Sequence, residues 1–148
     1  MQYKDTDINR FLEAQDSPYS GYDVALREIK AGKKYSHWIW YIFPQFRAFA
    51  HSATARYYGI TDKREAEAYI QQPILNHRLR EITEALLQHA DKTPIEIFGQ
   101  IDSGKVRSCM TMFDYLSPND IYGKVLDTFY AGVRGGRTLR ELGAKRDE

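Results

Sequence analysis

The segment Gly32-Lys33-Lys34-Tyr35-Ser36-His37-Trp38-Ile39-Trp40-Tyr41-Ile42-Phe43-Pro44-Gln45-Phe46 concentrates side chains able to do chemistry. Both tryptophans lie within three residues of a histidine, with two lysines just upstream. Lysines and free amides at a helix start attract phosphate or carboxylate. An aromatic face can stack a ring, and a histidine can move protons or donate to an oxyanion. Residues 27–47 carry five positive side chains (Arg27, Lys30, Lys33, Lys34, Arg47) against one negative, Glu28, a local surplus of +4. The alternative is structural: the six apolar or aromatic residues 38–43 are buried on more than one side, and their lysine neighbours are solvated.

A second group falls at helical spacing. Asp102, Lys105, Ser108 and Thr111 recur every three residues and drift slowly around one side of a helix, beside an apolar stripe of Val106, Met110 and Phe113. Such a polar stripe could line a pocket, with Lys105 meeting an anion and Ser108 orienting it. A solvated face with Asp102 as helix cap is the plainer reading. Arg56 and Arg78 could add guanidinium contacts or could pair helices.

Several chemistries lack their signatures. His37, His51, His77 and His89 show no metal-ligand spacing, and the single cysteine, Cys109, has no partner and reads as a buried thiol. No metal or cofactor is expected. No phosphate-binding Gly-x-x-x-x-Gly-Lys loop and no Gly-x-Gly-x-x-Gly fingerprint occurs. Arg134-Gly135-Gly136-Arg137 is one isolated copy of a pattern that can touch RNA.

The elements that must position these residues read as helices. Ile8, Phe11, Leu12 and Gln15 have helical spacing after Asp7 as N-cap, and Tyr22, Ala25, Leu26 and Ile29 have it before Gly32 as C-cap. Asp62 with Glu65 resembles a capping box, Pro73 suits the first turn of the longest helix, and Thr93-Pro94-Ile95-Glu96 is a capping box closed by Gly99. Asp102 and Asn119 or Asp120 are placed to cap two further helices. Residues 37–43 suit a short buried helix between Ser36 and Pro44, with a buried strand as the alternative. No hairpin turn, period-two run or internal repeat is present. The expectation is one all-α domain of seven or eight helices over residues 1–148, with 134–148 as a flexible C-terminal tail.

The 148 residues suit one domain. With 21 Lys plus Arg against 20 Asp plus Glu, the charge of +1 offers no global case for nucleic-acid or membrane binding. One cysteine and no membrane-length apolar run make a cytoplasmic setting the expectation. The aromatic share, 14% with 11 tyrosines, is the one high number.

The chain resembles a bacterial family, domain of unknown function 1810, sometimes labelled calpastatin. The resemblance runs from Ile8 to about Tyr130. It rests on Asn9-Arg10-Phe11-Leu12-Glu13-Ala14-Gln15, on Gly32-Lys33-Lys34 with residues 36–45, and on Tyr58-Gly59-Ile60, Glu65-Ala66-Glu67-Ala68-Tyr69 and Pro73-Ile74-Leu75. Arg78-Leu79, Ile97-Phe98-Gly99, Asp102 and Lys105 with residues 108–113 complete it. The family implies an all-helical single domain and supplies no established activity. Calpastatin-type inhibitors are long and disordered, unlike this capped, periodic chain. Where the family pattern carries glycine after Gln45, this chain has Phe46-Arg47-Ala48-Phe49-Ala50.

These observations favour a domain that binds, and could act on, a small anionic, ring-containing metabolite such as a nucleotide or an ADP-ribose-like molecule. His37 is the candidate acid/base, Lys33, Lys34 and Lys105 would hold anionic groups, Trp38 or Trp40 would stack, and Gln45 and Ser108 would orient the ligand. The alternative is a helical adaptor that binds another protein through an aromatic groove.

Overall fold

A computed structural model describes residues 7–143. Ten α-helices and one 3-10 turn occur among the described residues, and the only β contact there is one parallel bridge between Phe46 and Ile60. The all-α expectation holds, but seven or eight helices is an undercount. The additions are α4 (Ala53–Tyr58) and α10 (Gly136–Glu141). Each is six residues long, too short for a hydrophobic period to emerge, and α4 buries none of its side chains.

The remaining helices are α1 (Asn9–Gln15), α2 (Tyr22–Ala31), α3 (Ile39–Ile42), α5 (Lys63–Gln71), α6 (Pro73–Leu87), α7 (Pro94–Phe98), α8 (Gln100–Leu116) and α9 (Ile121–Phe129). The 3-10 turn is Arg47–Phe49. The two long helices, α6 and α8, frame the core, and α9 packs against both. Helix α8 buries Val106, Cys109, Met110, Met112 and Phe113, while α6 buries Leu75, Leu79, Ile82 and Leu86. At 17 residues α8, not α6 with 15, is the longest.

Local chemistry explains most boundaries. Asp7 Oδ1 accepts the Asn9 N–H, Asp62 the Glu65 N–H, and Thr93 with Glu96 closes a reciprocal capping box. Gly32 ends α2 at φ 90°, a left-handed conformation costly for other residues. Asp102 lies in the first turn of α8 rather than at its cap, which is Gly99. Residues 37–43 contain only the single helical turn α3, and Ser36 does not cap it. The Ser36 hydroxyl and backbone N–H both donate to Glu28 instead.

A buried ion pair anchors the end of α4. Arg10 donates to both carboxylate oxygens of Glu65 at 2.9 and 3.0 Å, and to the carbonyls of Asp7, Tyr57 and Gly59. Both side chains are essentially inaccessible. Such a pair persists because its donors and acceptors are matched, and removing one partner typically costs about 3–5 kcal/mol. It locks the last turn of α4 to α1 and α5.

Segment 134–148 begins with Arg134 exposed, bonded to Asp114, and continues into α10. Thr138 and Leu142 are buried there, and residues 144–148 lie outside the described residues. No helix among the described residues is long and apolar enough to cross a membrane.

Candidate functional site: a basic groove beside a narrow aromatic slot

Residues 45–60 fold back on themselves. Ile60 N–H donates to the Gln45 carbonyl and Arg47 N–H to that of Ile60. Gly59 lies against Arg47 so closely that a Cβ there would sit 2.4 Å from the Arg47 Cα. This fold-back sets Gln45 and Gly59 together with Trp40, Tyr58 and Lys105 around a slot of about 240 Å³ including its mouth. The enclosed part holds about one water. Lys105 Nζ lies 5.9 Å from the Trp40 ring centre. Burial pushes the Tyr58 hydroxyl above its ordinary pKa, so it stays neutral.

Gln45 and Lys105 also line a larger, open groove of about 800 Å³ including solvent at its mouth. Helix α8 contributes Gly104, Arg107 and Ser108, the 3-10 region contributes Phe49 and His51, and the C-terminal segment contributes Gly135, Gly136, Arg137 and Thr138. Thr111 ties that segment to α8: its hydroxyl donates to the Arg107 carbonyl and accepts the Gly135 N–H. Arg137 stacks on Phe49 with Cζ 4.4 Å from the ring centre. The lining holds three permanent cations and no carboxylate. No Asp or Glu occurs anywhere between Glu28 and Asp62.

The sequence-predicted residues divide into two sets. Trp40, Gln45, Lys105 and Ser108 converge on the slot and groove. Lys34 stands one step behind. Its Nζ lies 3.0 Å from Asp102 Oδ2, while Lys105 Nζ lies 3.5 Å from Asp102 Oδ1, so one carboxylate serves both lysines. Trp38 is fully buried, with its indole N–H on Glu28 and Lys34 over its ring, so no ligand reaches its face. His37 and Lys33 are exposed and line neither cavity. Arg78 pairs helices, bonding Gln15 and Asp16.

His51, Arg107 and Arg137 also belong to the groove, although sequence spacing does not assign them to it. Arg107 is legible as the residue before Ser108 on the polar stripe, and Arg137 as the end of the Arg-Gly-Gly-Arg run. His51 carries no local signal. No group of three or more His, Cys, Asp or Glu among the described residues is arranged to hold a metal ion. Cys109 is buried, and burial pushes its thiol well above the ordinary range, away from nucleophilic use.

Fold and site together define an all-helical domain with a cationic groove between its longest helix and its last one. The chain belongs to the family described as Protein of unknown function (DUF1810), which it matches over residues 5–142. Among solved structures it is similar to the conserved hypothetical protein Rv1873 from Mycobacterium tuberculosis. The two are 36% identical with a TM-score of 0.88, and the match covers 96% of this chain and 100% of the other. No curated protein matches the chain.

Proposed function

We propose that the domain binds a small anionic, ring-containing metabolite of the nucleotide or ADP-ribose-like class in the groove lined by Lys105, Ser108 and Arg137. The observation that carries this reading is three permanent cations on one concave surface that no carboxylate lines. Two of them, Arg107 and Arg137, have no acidic partner among the described residues, and the third, Lys105, shares Asp102 with Lys34. Gln45 supplies directional hydrogen bonding at the junction of groove and slot. The exposed edge of Trp40 and the Phe49 ring supply apolar surface for the ring of the ligand. The slot as it stands is too narrow for a ring, so the groove is the seat and the slot its inner margin. His37 has no catalytic part in this reading, because it stands outside the groove.

A thermal-shift panel of nucleotides, NAD and ADP-ribose tests the proposal. A ligand at a hundred times its dissociation constant stabilises by about 2.7 kcal/mol, several degrees for a domain of this size. The expected result is such a shift with at least one phosphate-bearing compound, reduced in Lys105→Ala and lost in Arg137→Ala. No shift with any of them at millimolar concentration overturns it.

A further inference from the structure

Two features of the groove are unexplained by folding. Arg107 Nε is buried yet has no hydrogen-bond partner. Arg107 and Arg137 line the same groove, and among the described residues neither is paired with a carboxylate. The Arg107 Nε is inaccessible from the groove, so it is the outer guanidinium nitrogens of Arg107, which lines the groove, that a ligand would meet. The second feature is Gly104. It sits inside α8, where glycine is the least favourable residue but proline. Its φ is not left-handed, and a Cβ built on it meets nothing within 4 Å. Neither backbone strain nor packing therefore calls for glycine. What the missing side chain leaves is open space in the groove wall, facing the space shared with Arg107 and Arg137.

We infer that the charged end of the ligand is a phosphate group, as a phosphomonoester or diphosphate, held between the Arg107 and Arg137 guanidiniums in room that Gly104 keeps open. The inference rests on the groove being the binding site proposed above. Two guanidiniums without carboxylates leave two positive charges to be met, which a phosphate dianion matches and a single carboxylate does not. Their fork geometry suits oxygens spread over a tetrahedron, with the Ser108 hydroxyl and Lys105 ammonium as further donors on the same wall. Lys105 is partly balanced by Asp102, so it is the weaker of the cations here.

Calorimetric titration of the full chain with pyrophosphate and with malonate, a dicarboxylate, tests this. Pyrophosphate should bind at least about tenfold more tightly than malonate. Arg107→Lys and Arg137→Lys keep the charge and lose the fork. Each should weaken pyrophosphate on the order of tenfold and leave malonate nearly unchanged. Gly104→Leu should abolish pyrophosphate binding in a protein that melts no lower than the parent, and Gly104→Ala should weaken it less. Malonate binding as tightly as pyrophosphate, or lysine variants that bind as the parent does, would overturn the phosphate assignment while leaving an anion-binding groove. Failure of pyrophosphate alongside a positive nucleotide panel overturns the phosphate seat alone. Failure of both overturns the groove reading too. Normal binding by Gly104→Leu would overturn the part given to Gly104.

Discussion

Glu28 shows how far one residue's role can lie from its local pattern. Its carboxylate accepts the N–H groups of Tyr35 and Ser36, the Ser36 hydroxyl and the Trp38 indole N–H. Burial alone would raise its pKa, but the bonds from Ser36, Tyr35 and Trp38 outweigh that and hold it at about 2 against an ordinary 4.5. Because the folded value is depressed, the carboxylate contributes stability above the unfolded value near 4.5 and loses it as pH falls toward about 2. Acid titration followed by circular dichroism should therefore show less loss between pH 4.5 and 2 in Glu28→Gln than in the parent, from a lower starting stability. Equal acid sensitivity in the two proteins would contradict this role. In the sequence Glu28 is merely the one acid in a basic stretch, because its four donors lie seven to ten residues away across the α2 C-terminus. The Arg10 to Glu65 pair, 55 residues apart, is invisible for the same reason. By contrast the buried thiol of Cys109 is readable, since an apolar helix face predicts burial without knowledge of the partner.

At the scale of elements, the readable features are those set within a few residues. The caps at Asp62, Thr93 and Asp120, the Gly32 terminator and the apolar faces of α2, α6, α8 and α9 all follow from spacing alone, whereas Asp7 stands one residue before the α1 cap, Ile8, and reaches only the Asn9 N–H. Helices α4 and α10 do not, though Ser52 caps the former in the ordinary way by accepting the Ala55 N–H. They are held by tertiary contacts: α4 by Arg10 on its last carbonyls, α10 by Thr111 on Gly135. The polar stripe of α8 is legible in the sequence, while the surfaces facing it are not. Gly104 is the weak position of that helix. It is exposed with nothing near a Cβ, so Gly104→Ala should stabilise by about 0.5–1 kcal/mol, measured as a higher midpoint in urea. A lower midpoint would show that this glycine has a structural task.

For the whole molecule, a net charge of +1 hides a strongly uneven surface. The run between Glu28 and Asp62 without a carboxylate meets the basic side of α8 and Arg137 of α10 across one groove. Residues distant in sequence thus line one groove that no single segment specifies. Aromatic and basic residues crowd the chain at 33–45, which makes that stretch the natural candidate from sequence. The fold uses much of it as support, with Trp38 in the core and Lys34 on Asp102, and sets Trp40, Gln45, Lys105 and Ser108 at the cavity. Density of chemistry along the chain is a poor guide to its convergence in space when apolar residues must also fill a core. The most direct measurement is a two-dimensional NMR titration of the 15N-labelled chain with a nucleoside diphosphate. Amide shifts concentrated at residues 104–108 and 135–138, with 33–37 unmoved, are the predicted result. Shifts centred on 33–37, or none at millimolar ligand, would contradict it.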